Sequence, residues 1–327
     1  MVGSDIGESQ MMRRKHGTTA SSILALAAAL STSDLAGQQI KVTLLGTGGP
    51  LPSVERFGPS TLIEAGGRAF LIDAGRGALQ RLAQAGVRWA DVEGVLLTHL
   101  HSDHIVGLPD LWLTGWLVRP GRARPLTVWG PVGTGRMMEH LREAFAFDIQ
   151  IRQSDDGAST AGAQVNALEV TDGVVYDSGG VRITAFLVDH APVEPALGYR
   201  IDHAGRSVVV SGDTRVSENV IRHATGVDLL IHEVASGESF VRAGVPVERA
   251  RSVIARHVTP EQAGRVFART RPRLAVYSHI IHATATDEDL VPGTRREYSG
   301  RLEVGVDLMV ITIGDSIDVR RPGGARN

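Results

Sequence analysis

The sequence predicts a mixed α/β fold that gathers a metal site at one edge of a sheet. Three observations carry this. Short apolar runs such as Val92 to Leu97, Val181 to Val188 and Leu274 to Tyr277 read as buried strands. Helical stretches alternate with them. Four of these strands run out into metal-type residues: His99, His190, Asp213 and His279. Rigid strands that deliver polar side chains onto loops at one edge are how such a fold builds a site.

Residues Met1 to about Gln38 read as a targeting segment. Arg13-Arg14-Lys15-His16 precedes the apolar run Ala20 to Leu30, and small and polar residues follow. That is the order of a secretory signal peptide, with an apolar core too short to span a membrane. Export to the periplasm or medium is expected, or a cytoplasmic location if the segment is only a tail. Met11 and Met12 are alternative starts. One domain is expected over 39–320, followed by a tail, 321–327.

Ile40 to Leu45 reads as the first strand, followed by Gly46-Thr47-Gly48-Gly49-Pro50. Pro50 and Pro52 break any helix there and the Gly-x-Gly-x-x-Gly spacing is missing, so this is a tight turn and no dinucleotide loop. Thr61 to Glu64 and Ala69 to Asp73 form a hairpin around Gly66-Gly67. Ala78 to Ala85 is a helix closed by Gly86. After Val92 to Leu97, Leu108 to Leu117 is a helix with Trp112 and Trp116 on one face. Thr127 to Trp129 is a strand, Met137 to Phe145 a helix, and Ser154 to Ala163 a polar loop. Val181 to Val188, Leu197 to Ile201, Ser207 to Ser211 and Asp228 to Ile231 are strands. Pro260 to Ala268 is a helix with Thr259 as N-cap. Leu274 to Tyr277 and strands within Val304 to Ile313 close the fold.

With 327 residues, 43% hydrophobic, the chain has ample material for a core. Its formal net charge of -2 offers no electrostatic footprint for nucleic acid or an anionic membrane. The absence of cysteine excludes disulfides, thiolate metal sites and cysteine nucleophiles. Lys15 and Lys41 are the only lysines, which leaves little place for a P-loop or a Schiff base. Chemistry falls to His, Asp, Glu, Arg, Tyr, Ser and Thr, with a metal.

The metal signal is the stretch His99-Leu100-His101-Ser102-Asp103-His104. Imidazole and carboxylate are ligands shared by zinc, iron and manganese. His99 and His101 project to one side of an extended segment, and Gly107 and Pro109 turn the chain behind them. A solvated, histidine-rich turn is the bland alternative, but four donors at alternating spacing exceed what such a turn needs.

This His-x-His-x-Asp-His pattern resembles the signature of the metallo-β-lactamase fold superfamily, and the resemblance extends from Lys41 to about Val319. It implies an αββα sandwich, two mixed β-sheets with helices on the outer faces, and a dinuclear site. Position by position, His99, His101 and His190 would hold one metal, and Asp103, His104 and His279 the other, with Asp213 bridging. Two divalent ions are implied, zinc first, with manganese or iron as alternatives.

Leu44-Leu45-Gly46-Thr47-Gly48, His232-Glu233 and His257-Val258-Thr259-Pro260-Glu261 resemble the ribonuclease Z and arylsulfatase-like branch, in which Glu233 and His257 would form a pair beside the metals. Tyr298-Ser299-Gly300 through Val304 to Met309 looks like the arylsulfatase side. Common bacterial ribonuclease Z proteins insert a long basic arm between the positions of His190 and Asp213. Here only a short hairpin, Ala191 to Gly212, stands there.

The expected function is therefore a metal-dependent hydrolase of small anionic phosphate or sulfate esters, with nucleic acid not a partner and a homodimer in keeping with the branch. The alternatives are a ribonuclease Z-like nuclease, a lactone or β-lactam hydrolase, and a metal- or nucleic-acid-binding module without turnover. Asp213 counts against the β-lactamases, His101 against flavin-coupled reductases, and the Glu233/His257 pair against lactonases. In the implied mechanism two metals about 3.5–4 Å apart share a hydroxide, Asp103 orients it, and His257, supported by Glu233, protonates the leaving group. His16, His140, His203 and His223 read as signal, surface or turn residues. His232 reads as a supporting residue; His282 reads as a surface loop or a residue lining the site, and Arg295, Arg296 and Tyr298 as surface, with contact to an anionic substrate as the alternative.

Overall fold

In the computed structural model the described residues are 37–119, 121–281 and 284–323. The expected signal segment falls outside them apart from its last two residues. His16, His282 and most of the expected tail also lie outside.

Alternating burial sorts the strands into two sheets, with residues two apart sharing a face. The first sheet has the order β15-β14-β1-β2-β3-β4-β5-β6. Its strands are β1 (Ile40–Gly46), β2 (Ser60–Ala65), β3 (Arg68–Ile72), β4 (Val92–Leu96), β5 (Leu126–Gly130), β6 (Val165–Glu169), β14 (Val310–Ile313) and β15 (Ile317–Arg320). The second has the order β13-β12-β11-β10-β9-β8-β7. It comprises β7 (Gly173–Ser178), β8 (Val181–Val188), β9 (Ala196–His203), β10 (Arg206–Val210), β11 (Leu229–Ala235), β12 (Leu274–Ile281) and β13 (Leu302–Val304). Each sheet is mixed: antiparallel from β15 to β3 and from β7 to β10, parallel from β3 to β6 and from β10 to β13.

The inner faces pack on each other: Val42, Leu44, Phe70 and Ile72 from one sheet, Ile183, Tyr199, Val210, Ile231 and Val276 from the other. The intervening residues face outward onto helices. Leu62, Leu71 and Val95 meet α1 (Ala78–Gln84) and, beyond the short α2 (Ser102–Ile105), α3 (Leu108–Leu117). α4 (Thr134–Ala144) and α5 (Ala146–Ser154) follow on that side. Val209, Leu230, Ala275 and Tyr277 meet α6 (Glu218–Ala224), α9 (Pro260–Thr270) and α10 (Asp287–Arg295). α7 (Gly237–Arg242) and α8 (Val247–Ile254) pack on a small cluster around Phe240 and Ile281. The four layers are those of the expected sandwich.

The local signals hold. Gly66 and Gly67, both at positive φ (57° and 72°), make the two-residue turn from β2 to β3. Thr259 caps α9 in a full capping box with Gln262. Gly46 belongs to no phosphate loop. A Cβ there would lie 1.9 Å from Gly58 O, so glycine permits a close backbone crossing. Trp112 and Trp116 are core residues whose indole N–H groups donate to Ala163 O and Ser159 O. Elements beyond the sequence reading are α2, α5 to α8, α10, β6, β7 and β15. β6 and β7 are largely half-exposed, so they show no clean alternation. α10 carries a legible capping box, Thr286 with Asp289.

Two features hold the site edge. Leu197 N donates to Thr98 O at 2.8 Å and Ile280 N to Thr47 O at 2.8 Å, so backbone bonds run directly from one sheet to the other. Nearby, buried Asp307 accepts from Thr47 N (2.9 Å), Thr47 Oγ1 (2.8 Å) and Phe57 N (2.8 Å), and pairs with Arg81 of α1 at 3.1 Å. Removing one member of a buried pair strands the other charge. Asp307→Ala is therefore expected to lose about 3–5 kcal/mol in urea unfolding. A loss of the size typical of exposed pairs, below about 1 kcal/mol, would show that Asp307 holds nothing.

Candidate metal centre

The seven predicted donors come from five chain segments, all at the edge where the two sheets are stitched. His99 and His101 lie on the extended segment leaving β4, and Asp103 and His104 are in α2. His190 follows β8, Asp213 follows β10, and His279 sits within β12 at positive φ (46°). They form two groups: His99, His101, His190 and Asp213, and Asp103, His104 and His279.

Asp213 joins the groups. Its Oδ2 stands 3.8 Å from His99 Nε2 and 3.7 Å from His190 Nε2, while its Oδ1 stands 3.4 Å from His104 Nε2 and 3.5 Å from His279 Nε2. Asp103 Oδ2 is 3.4 Å from His279 Nε2. His104 Nε2, His190 Nε2, His279 Nε2 and Asp213 Oδ1 are all buried with no hydrogen-bond partner. Each such orphan costs about 1–3 kcal/mol, and four converging on one point fit a cation between them. The residues thus suit the divalent metals that the fold implies.

The electrostatics agree. Burial pushes His99 well below the usual imidazole range, His101 below it, and His190 down to about 4, so all three stay neutral with a lone pair free. Burial opposes ionisation of Asp103 and Asp213, but facing histidines, His279 first among them, hold both below the usual carboxylate range. His104 is the exception. Burial disfavours its charge, but Asp213 and Asp73 outweigh that and raise it.

Asp73 is the residue sequence reading missed. Buried at the end of β3 with φ 60°, it accepts from Thr98 N and Thr98 Oγ1 (both 2.8 Å) and from His104 Nδ1 (2.7 Å). It thereby turns His104 Nε2 into the site. The sequence showed only an acid closing a hairpin strand. The sign that could have found it is a buried strand ending in a carboxylate, as at Asp213. His190 is oriented likewise, its Nδ1 bonding Arg256 O at 3.2 Å.

Glu233 and His257 meet as expected. Glu233 Oε1 accepts from Val258 N at 3.0 Å, and Oε2 faces His257 Nδ1 at 3.5 Å, an ion-pair separation. The His257 ring lies 5.1 Å from that of His190. Burial lowers its pKa, but Glu233 outweighs burial and the net shift is upward. His232 is buried beside them, with Nδ1 on Glu233 O and its ring edge-on to Phe267. His140 is on a helix surface with Glu143. His203, expected in a turn or on an exposed face, is buried at the end of β9 with Nδ1 on Gly180 O. His223 stacks on Phe186. Tyr298 is buried against Phe267, Arg295 bonds backbone carbonyls, and Arg296 pairs with Glu261.

Residues 68–280 match the beta-lactamase superfamily domain. The chain is 37% identical to ribonuclease Z of Mycolicibacterium gilvum over 287 residues, covering 87% of this chain and all of that protein. It is 40% identical to ribonuclease Z of Mycobacterium avium over 273 residues, covering 82% and 96% of the two. Among solved structures it is similar to the metallo-beta-lactamase fold protein YhfI from Bacillus subtilis (20% identity, TM-score 0.63, 84% of this chain and 99% of that one). It is also similar to the short form of human tRNase Z (22%, TM-score 0.60, 83% and 98%). At those identities the two structures speak for the fold.

The ribonuclease Z relatives overturn the expectation that nucleic acid is not a partner. That expectation rested on a missing arm and a near-neutral charge, yet proteins matched over nearly their whole length carry the name of a ribonuclease. Neither feature bears on the chemistry at the metals. A net charge is a sum over the whole chain and is silent on the field at one edge. The chain is a metallo-β-lactamase fold hydrolase that belongs to the beta-lactamase superfamily and, within it, to the ribonuclease Z family.

Proposed function

We propose that this hydrolase is a ribonuclease that cuts phosphodiester bonds in RNA, with precursor transfer RNA the substrate to test first. The observation that carries the two-metal part is Asp213, one carboxylate whose oxygens face two separate sets of donors. The relatives' name supports RNA over the small esters first expected.

His99, His101 and His190 would hold one divalent ion and Asp103, His104 and His279 the other, with Asp213 shared and zinc the first candidate. Bound there, the ions would supply water activation and neutralise charge on the phosphoryl oxygens. The protein's own part is positional. Asp73 fixes His104, and Arg256 O fixes His190. Asp103, held ionised, would accept the proton of the attacking water. His257 has Nδ1 turned to Glu233, which leaves Nε2 to donate to the departing oxygen.

Metal-loaded protein is expected to trim precursor transfer RNA and to hydrolyse a nitrophenyl phosphodiester, and to leave nitrophenyl sulfate intact. Faster turnover of the sulfate would reject the ribonuclease reading. By elemental analysis, Asp213→Ala should lose at least one of two bound ions per chain, together with activity. Asp73→Asn should keep the fold by circular dichroism and lower metal affinity about 10–100-fold. His257→Ala should retain both ions and slow RNA by about 10²-fold or more while sparing the nitrophenyl ester, whose leaving group needs no proton. Equal loss on both substrates would rule out the acid role.

A further inference from the structure

Arg215 lies two residues beyond Asp213, and its guanidinium reaches three acceptors on two other segments at once. Nε donates to Ala255 O at 2.9 Å, Nη2 to Ala191 O at 3.0 Å, and Nη1 to Asp189 Oδ1 at 3.2 Å. The two carbonyls are the informative partners. Ala255 ends α8, where a carbonyl has no helical donor and a cation is favoured by the helix dipole. Two residues further on stands His257. Ala191 and Asp189 flank His190. The Asp189 ion pair is itself half-exposed, at 41% and 49%, and contributes little.

The turn from Ala255 to Val258 is thus gripped from both ends. Glu233 Oε1 holds Val258 N on the far side of His257, and Arg215 holds Ala255 O on the near side. Between them Arg256 O takes the bond from His190 Nδ1. A planar fork with five donors can span three acceptors in different directions, which a lysine ammonium on a flexible stem does not reproduce.

We infer that Arg215 is a positioning residue for the leaving-group acid, locking the turn that carries His257 to the loops that carry His190 and Asp213. The inference rests on the reading of His257 as proton donor. Arg215 acts through that turn.

The test compares Arg215→Gln, Arg215→Lys, His257→Ala and the double variant Arg215→Gln/His257→Ala, all loaded with metal and checked for metal content and thermal midpoint. Substrates are an oligoribonucleotide, with a poor alkoxide leaving group, and bis(p-nitrophenyl) phosphate. Arg215→Gln is expected to lower kcat on the oligoribonucleotide by about 10–100-fold, the scale of a small misplacement of a reacting group. KM, both metal ions and nitrophenyl turnover should be little changed, and Arg215→Lys should not restore the rate. The double variant should be no slower than His257→Ala alone, because the two residues act through one group. Multiplying effects in the double variant, equal loss on both substrates, loss of metal, or rescue by lysine would each overturn the inference. If His257→Ala is selective and Arg215→Gln is not, only this inference falls. If His257→Ala is itself unselective, the acid reading falls with it.

Discussion

A buried carboxylate organises this molecule. Asp213 is only 3% exposed, and an ionised group at that depth is tolerated only where opposite charge or strong donors surround it. Four histidines lie within 4 Å of its two oxygens, and they come from both sheets. The requirement reaches well beyond the site. Strand ends from both sheets must stop at the same edge. The antiparallel-to-parallel plan shared by the two sheets serves that convergence.

Around this centre, the groups proposed to move protons and the groups that hold position are different residues. Asp73 and the carbonyl of Arg256 meet the histidines at their outer nitrogens, and so decide which nitrogen faces inward. Glu233 has two tasks: one oxygen grips the backbone after His257 and the other faces its ring. A carboxylate tied on one side cannot swing away from its imidazole, so the backbone bond also sets where the facing oxygen stands.

Much of the fold and the donor set was legible in the sequence, because both leave periodic or local marks. Buried strands are apolar runs of limited length, and the four that end in ligands announced the edge. His99 to His104 is a local pattern, and Thr259 was readable as a cap. Asp73 carries only a faint mark, an acid closing an apolar strand, which does not name its partners: its role exists because β3 and β4 are neighbours, which brings Thr98 and His104 against it. Strands β6 and β7 sit at sheet edges with mixed burial, so their residues carry weak alternation. The nucleic-acid expectation fails for a related reason. Net charge records neither where the arginines stand nor what the metals attract.

The backbone bonds between the sheets, Leu197 to Thr98 and Ile280 to Thr47, have a consequence for how the molecule comes apart. Sandwiches whose layers touch only through side chains can loosen one sheet at a time. Here the strand carrying His279 is bonded to the segment after β1, and the strand after His190 to the residue before His99. These bonds link the local stability of the two sheets at this edge, so opening one strand end costs the other a backbone bond. The half bearing His99 to His104 and the half bearing His190, Asp213 and His279 keep their places together or lose them together.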